Sequence, residues 1–575
     1  MQSFKYLFSF LSVFWIFTHA NATVNVNWQY TGGGALSAEH ARTVVRLANG
    51  DSVYAGSVDT SLQMYDYFIA KIDSNQNQIW KYAYGGSKDD KLTHMIQTAD
   101  GGFLLAGWSI SDVSGNKSEP SSQLGDYWLV KVDANGLFQW DETIGGTDWD
   151  WLSAVRQTAD GGFVLAGASN SEIGGDKSQP NRGPDPVTNN ITEDIWVVKL
   201  NPNRTIDWQQ TIGGSGNDYL NNQSMIATSD GGLLIAATSN SNISGEKAAN
   251  SRGFQDYWLV KLDSGGQIAW QKTYGGSFYD YAYGVVEDRN GGYLITGASN
   301  SSISGDKAVG FLGGQSDFWI VKVDTNGALR WQKGFGGSGS ETPWWVEQTL
   351  DDGFIVAGSS SSGISGSKTE ANIGAHDGWL LKLDSSGNEQ WQKTIGTTGV
   401  DHMNSVDASL AGSYLFAGSQ SIGSTTRSWL AEVSESPVVG LSVFHFEDPY
   451  SRQAIEFPCA GWDIWLNGTA SQNEARFFID AWRRPIGSTS AFVWQAQIGW
   501  TVGQAGRVNL TERFAQLPNN QSYYFQPGYE YQIKLAIENL PHFLWIETVH
   551  TFVIPSQLSQ CSAPIDNDHG PVLGG

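Results

Sequence analysis

Cysteine is nearly absent: two residues in 575, Cys459 and Cys561, both near the C-terminal end. Covalent bracing is therefore limited to one expected disulfide between them, and no C-x-x-C pair is present for metal binding or thiol exchange. Charge is scarce as well, at 16% of residues, and it is unbalanced, with 58 acids against 34 bases and a formal net charge of −24. A phosphate backbone must be met by a basic surface, so nucleic acid is excluded as a partner, and anionic lipid is disfavoured for the same reason. The nine histidines are scattered without H-x-H or H-E-x-x-H spacing, which removes the common metal signatures. No apolar run after the first residues is long enough for a transmembrane helix. Long polar helical stretches are missing too.

Glycine (68 residues) and aromatic side chains (13%) are abundant. Together they indicate an all-β protein with many tight turns. Residues 1–22, "MQSFKYLFSFLSVFWIFTHANA", combine an early Lys5, an apolar stretch from Tyr6 to Phe17 and an Ala20-Asn21-Ala22 cleavage pattern. They are expected to be a signal peptide, with the mature chain starting near Thr23 and destined for secretion, the cell surface or the periplasm.

Four signals then recur in fixed order. A turn such as "ADGGFLLAG" (Ala99 to Gly107) is followed by a Ser/Gly loop ending in lysine, at Lys117, Lys177, Lys247, Lys307 and Lys368. Next comes "DYWLVKVD" at Asp126, with counterparts at Asp66, Asp194, Asp256, Asp317 and Asp377 and a weaker "RSWLAEV" at Arg427. Last is a tryptophan followed by a glycine pair, at Trp80, Trp140, Trp208, Trp270 and Trp331, with a variant at Trp391. Each unit offers four strands, and radial repetition of four-stranded units describes a β-propeller. The seventh unit lacks its tryptophan strand, while an orphan copy, "WQYTGG", stands at Trp28. The expectation is a seven-bladed propeller over residues 23–435, closed by its N-terminal strand.

Units reading "DYWLVKLD", "YGGS" and "DGG" resemble the bacterial seven-bladed propeller repeats of exported and cell-surface proteins. "LDSSGNEQW" is similar to the Trp-docking repeats of quinoprotein-type propellers. The resemblance implies the fold; the ligand and metal residues of the quinone enzymes are not located here, so their activity does not come with it.

Thirteen tryptophans fill two repeated strand slots and are read as packing between blades. Trp149, Trp151, Trp344 and Trp345 break the pattern and are candidates for contact with a partner. Six acids, Asp90, Asp150, Asp218, Asp280, Glu341 and Asp401, each stand four residues after the second position of a glycine pair or its variant. On one face of a propeller they would approach the channel mouth, where they could hold a hard cation such as Ca²⁺ or guide a basic partner. The competing and favoured expectation is that each caps its own loop amides or pairs with a loop lysine. The longest departure from the repeat, Ser178 to Asp194, marks the blade where a special site would lie.

After Pro437 a new pattern gives about seven alternating strands, expected as a β-sandwich of immunoglobulin or fibronectin type over 441–562, followed by a flexible tail at 563–575. The functional expectation is a secreted, monomeric, non-enzymatic binding or adhesive protein recognising an extracellular protein or glycan. The alternative is a polysaccharide-acting enzyme using the mouth carboxylates.

Overall fold

The computed structural model describes Val24–Glu435 except 34–37, 62–63, 123, 185–190, 222 and 424, together with the backbone of eight strands between Phe444 and Ile554. The described residues form strands and turns, with no α-helix. Blade two shows how a unit forms. Its strands, Asp90–Gln97, Phe103–Ser109, Asp126–Val132 and Phe138–Ile144, pair antiparallel in chain order. The first turn reverses at Gly101, at φ +83°, and Asp100 accepts from the Gly102 amide at 3.0 Å. The last turn is gathered by Asp133, whose Oδ1 accepts from the amides of Asn135 and Leu137, both at 2.8 Å.

Six sheets on this plan follow one another, with inner strands beginning at Glu39, Asp90, Asp150, Asp218, Asp280 and Glu341; the one at Asp218 is split into Asp218–Tyr219 and Met225–Ala227. The seventh has three strands from the end of the repeat, Asp401–Leu410, Ser413–Ile422 and Thr425–Glu435, and takes its outer strand, Val24–Thr31, from the N-terminal side. The expected closure is present, in antiparallel register from Val24↔Glu435 to Thr31↔Trp429. The Trp28 indole donates to Glu432 at 2.7 Å, and the Trp429 indole donates to Gln29 at 3.0 Å.

Both repeated tryptophan slots serve packing between blades. Trp128, Trp196, Trp258, Trp319, Trp379 and Trp429, on the third strands, are fully buried. The residue before this slot in one blade packs, tilted, against the tryptophan of the next: Tyr67 on Trp128 at 4.7 Å, Tyr257 on Trp319 at 4.7 Å and Phe318 on Trp379 at 4.8 Å. The Tyr67, Tyr127 and Tyr257 hydroxyls also donate to the carbonyls of Trp128, Trp196 and Trp319, at 3.0–3.1 Å. Four outer-strand rings cover the third turn of the following blade. A Cβ on Gly136, Gly266, Gly327 or Gly387 would lie 2.6–2.8 Å from Trp80, Trp208, Trp270 or Trp331 respectively. These glycines have φ of +77° to +79°, so left-handed backbone and close aromatic approach demand the same residue.

The C-terminal strands form two antiparallel sheets. One runs Ala454–Ile455, Phe444–Glu447, Ile464–Gly468, Gly506–Asn509; the other runs Val493–Val502, Ala475–Pro485, Tyr529–Asn539, Leu544–Ile554. The expected leader at 1–22, the tail at 563–575 and both Cys459 and Cys561 lie outside the described residues.

The two demands on the turn glycines can be separated by mutation. Gly101→Ala meets only the φ penalty, because nothing lies within 4 Å of its Cβ, and should cost about 1–2 kcal/mol in denaturant unfolding. Gly266→Ala must also displace Trp208 and should cost more. Equal losses would remove the role given to ring docking.

Candidate functional site

The six acids expected at the channel mouth are buried inside the blades, each with zero exposure. Each opens an inner strand and holds the loop before it. The amides of Gly86, Gly146, Gly214 and Gly276 donate to Asp90, Asp150, Asp218 and Asp280 at 2.7 Å, and that of Gly337 donates to Glu341 at 2.9 Å. Thr397 does the same for Asp401. A loop serine adds a second bond, as from Ser171 to Asp150 at 3.0 Å and from Ser241 to Asp218 at 2.6 Å.

Register places these acids in a row. Asp150 pairs with Ser169, which pairs with Asp194; Asp218, Ser239 and Asp256 repeat the arrangement. The loop lysine folds inward over the row: Lys177 and Lys247 donate to Ser169 and Ser239, both at 2.7 Å. Lys117, Lys177, Lys247, Lys307 and Lys368 are all buried, and their ammonium groups go chiefly to hydroxyl and carbonyl oxygens. A seventh acid, Glu39, completes the ring. It is fully buried and joined to Lys81 in a blade that lacks the loop lysine. Sequence spacing missed it because Glu39 stands six residues after Gly33 instead of four.

Two carboxylates per row against one ammonium leave negative charge buried. Burial pushes the Asp194 carboxyl up to about 8 and Asp317 to about 7, with Asp218 and Glu341 across the blade junctions adding like-charge repulsion. Asp150 and Asp256 rise to about 6, again mainly by burial. Among the described residues no three carboxylate, imidazole or thiolate side chains converge as a metal site.

The blades differ at the next residue. After each buried acid stands His40, Lys91, Trp151, Tyr219, Tyr281, Thr342 or His402, each half-buried, followed by a buried residue. The inner strands that carry them form a ring. Thr93 donates to the Leu152 carbonyl at 2.7 Å, Ser153 to Leu220 at 3.0 Å, Asn221 to Ala282 at 2.7 Å and Asn404 to Ala41 at 2.7 Å. Deeper down, His94 of blade two meets Trp345 of blade six at 5.8 Å across the axis. The Trp345 indole bonds Glu347 at 3.2 Å and the ring is 6% exposed. Trp345, expected as a partner contact, is thus a packed plug.

The mouth above this plug is chemically divided. On one side, Trp149 and Trp151 stack at 5.2 Å and 11°, with Trp108 edge-on to Trp149 at 5.9 Å. Tyr279 stacks on Tyr281 at 5.9 Å and on Phe254 at 5.0 Å, and Tyr283 meets Trp344 edge-on at 5.1 Å. On the other side lie His376, His402, Arg42 and His40, with Lys91 at the border, over the Trp108 ring at 5.2 Å. His376 and His402 are 6.3 Å apart, and His40 is lowered to about 4 by burial and then by Arg42, His402 and Lys91. Sequence reasoning found Trp149, Trp151 and Trp344. It missed the basic arc; the variable position after each repeated acid signals His40, Lys91 and His402, but not Arg42, three residues after Glu39, nor His376. The excursion from Ser178 ties blade three to blade four through Arg182 and Glu246 at 2.8 Å; its middle, 185–190, is outside the described residues.

No protein-family model matches this chain, and no curated protein matches it. Solved structures similar to it include a DUF4221 family member from Bacteroides vulgatus, 9% identical over 73% of this chain and 100% of that one, with TM-score 0.32. The PQQ-bound aldose sugar dehydrogenase of Streptomyces coelicolor is 11% identical over 72% and 99%, with TM-score 0.32. A puromycin hydrolase is 9% identical over 75% and 58%, with TM-score 0.36.

The raised carboxyls set a pH dependence. The folded propeller holds protons that the unfolded chain releases near pH 4, so these groups lower stability as pH rises from about 4 to 8. Asp194→Asn keeps an oxygen for the Arg182 amide and removes the buried charge. The fall in melting temperature between pH 5 and pH 8 should shrink by at least about 2 °C; an unchanged fall would place the charge elsewhere.

Proposed function

We propose that this chain is a non-enzymatic binding protein whose propeller mouth recognises an extracellular glycan. The observation that carries the reading is the stacked, half-buried pair Trp149 and Trp151. Flat apolar rings with polar neighbours suit the hydrophobic faces of sugars. The acids invoked for polysaccharide cleavage are fully buried and bonded to loop amides, which favours binding over hydrolysis. In this reading the leader exports a monomer, and the C-terminal sheets form an accessory sandwich clamped by Cys459 and Cys561. No described helix is long and apolar enough to cross a membrane.

A glycan screen on the full mature chain tests the proposal. Trp151→Ala should weaken the best glycan by about 10- to 30-fold with the melting temperature retained; unchanged affinity would overturn the site. The acid ring is assigned to loop capping, so millimolar Ca²⁺ should leave the melting temperature unchanged. A rise would give Asp90 and its counterparts the cation role instead.

A further inference from the structure

We propose that the side of the mouth around Arg42 is a carboxylate-binding subsite, so that the preferred glycan carries uronic acid residues. The inference rests on the glycan reading above and adds the charge of the ligand to it.

Arg42 lies on the inner strand Glu39–Arg46 and is half-buried. Its guanidinium has no ion pair or hydrogen bond among the described residues. The other described arginines are all engaged. Arg46 pairs with Glu432, Arg182 with Glu246, Arg252 with Asp306 and Arg330 with Asp324; Arg204 and Arg289 pair with Glu142 and Asp352. Arg156 and Arg427 donate to carbonyls. An unengaged guanidinium is conspicuous in a chain with net charge −24. The fork geometry of arginine matches a planar carboxylate in two parallel bonds.

The surroundings favour an anion as well. His40 and His402 flank Arg42 and are both lowered by burial first; for each, neighbouring cationic groups supply the remaining causes, with no acid among them. Lys91 stands next, 3.5 Å from Asp89 and over the rings of Tyr65 and Trp108 at 5.0 and 5.2 Å. Asp89 and Asp59 act on Tyr65, whose ring is 5.9 Å from His40. His376 lies beyond His402. A pyranose ring against the tryptophan side could direct its carboxylate toward Arg42. Bound anion would favour the imidazolium forms of His40 and His402, so affinity should rise as pH falls from 7 to 5.

The test uses the full mature chain with oligogalacturonate, its methyl ester and a sulfated glucan, by calorimetry at pH 7 and pH 5. Oligogalacturonate should bind at least about tenfold tighter than the ester. Arg42→Gln should erase that preference while leaving ester binding in place. Arg42→Lys, which keeps charge without the fork, should retain salt sensitivity and lose most of the preference. Histidine NMR should show the His40 and His402 titrations moving upward on addition of galacturonate, which a purely structural Arg42 would not produce. Ester binding that is lost in Trp151→Ala, with no preference for the acid, would overturn the carboxylate subsite and leave the glycan platform standing. Preference for the sulfated glucan over oligogalacturonate would overturn the carboxylate assignment. Failure of all three ligands to bind would overturn both readings.

Discussion

A propeller blade is a sheet with two apolar faces and is stable only when both are covered, so the structure depends on closing the ring. Here the closing contact is the antiparallel pairing of Val24–Thr31 with Thr425–Glu435, which joins segments about 400 residues apart in sequence. Without it the third strand of blade seven would become an exposed edge, and the faces of blades seven and one would lose their fixed relation. Repetition makes the remaining junctions alike. A tilted aromatic pair recurs at several of them, a tyrosine hydroxyl on the next tryptophan carbonyl at three and an indole over a left-handed glycine at four.

That regularity explains what could be read from sequence. The count of strands, the closing segment and the packing role of thirteen tryptophans follow from residues that recur at fixed spacing, because packing between identical units imposes identical side chains. The capping role of the acids was legible too, since an acid four residues after a glycine turn can reach the turn amide. Their burial was harder to see. Asp150 and Asp194 are separated by a long loop and meet only through the register with Ser169, which spacing does not report. Glu39 escaped because its preceding loop is longer, and Trp345 misled because two adjacent tryptophans on a strand face opposite ways.

The same alternation explains where function has room. On each inner strand the acid and the residue two places on are locked into packing, as Asp150 and Leu152 are. The side chain between them leaves the opposite face and is not fixed by the repeat. Seven blades therefore offer seven positions that can change without altering a blade junction, and they hold histidine, lysine, tryptophan, tyrosine, tyrosine, threonine and histidine.

A cationic arc one residue from a ring of buried acids would be cancelled if those acids were fully charged and unpaired. Two features prevent it near Arg42. Glu39, which opens the strand bearing Arg42, is joined to Lys81, and Glu432 on the third strand of blade seven is joined to Arg46. Burial also raises Asp66, in the row of Glu39, to about 6 and Asp90, in the next row, above the ordinary carboxylate range, which reduces their charge at mildly acidic pH. With those acids engaged or raised, the low-dielectric walls around the Arg42 guanidinium strengthen its field toward an incoming anion.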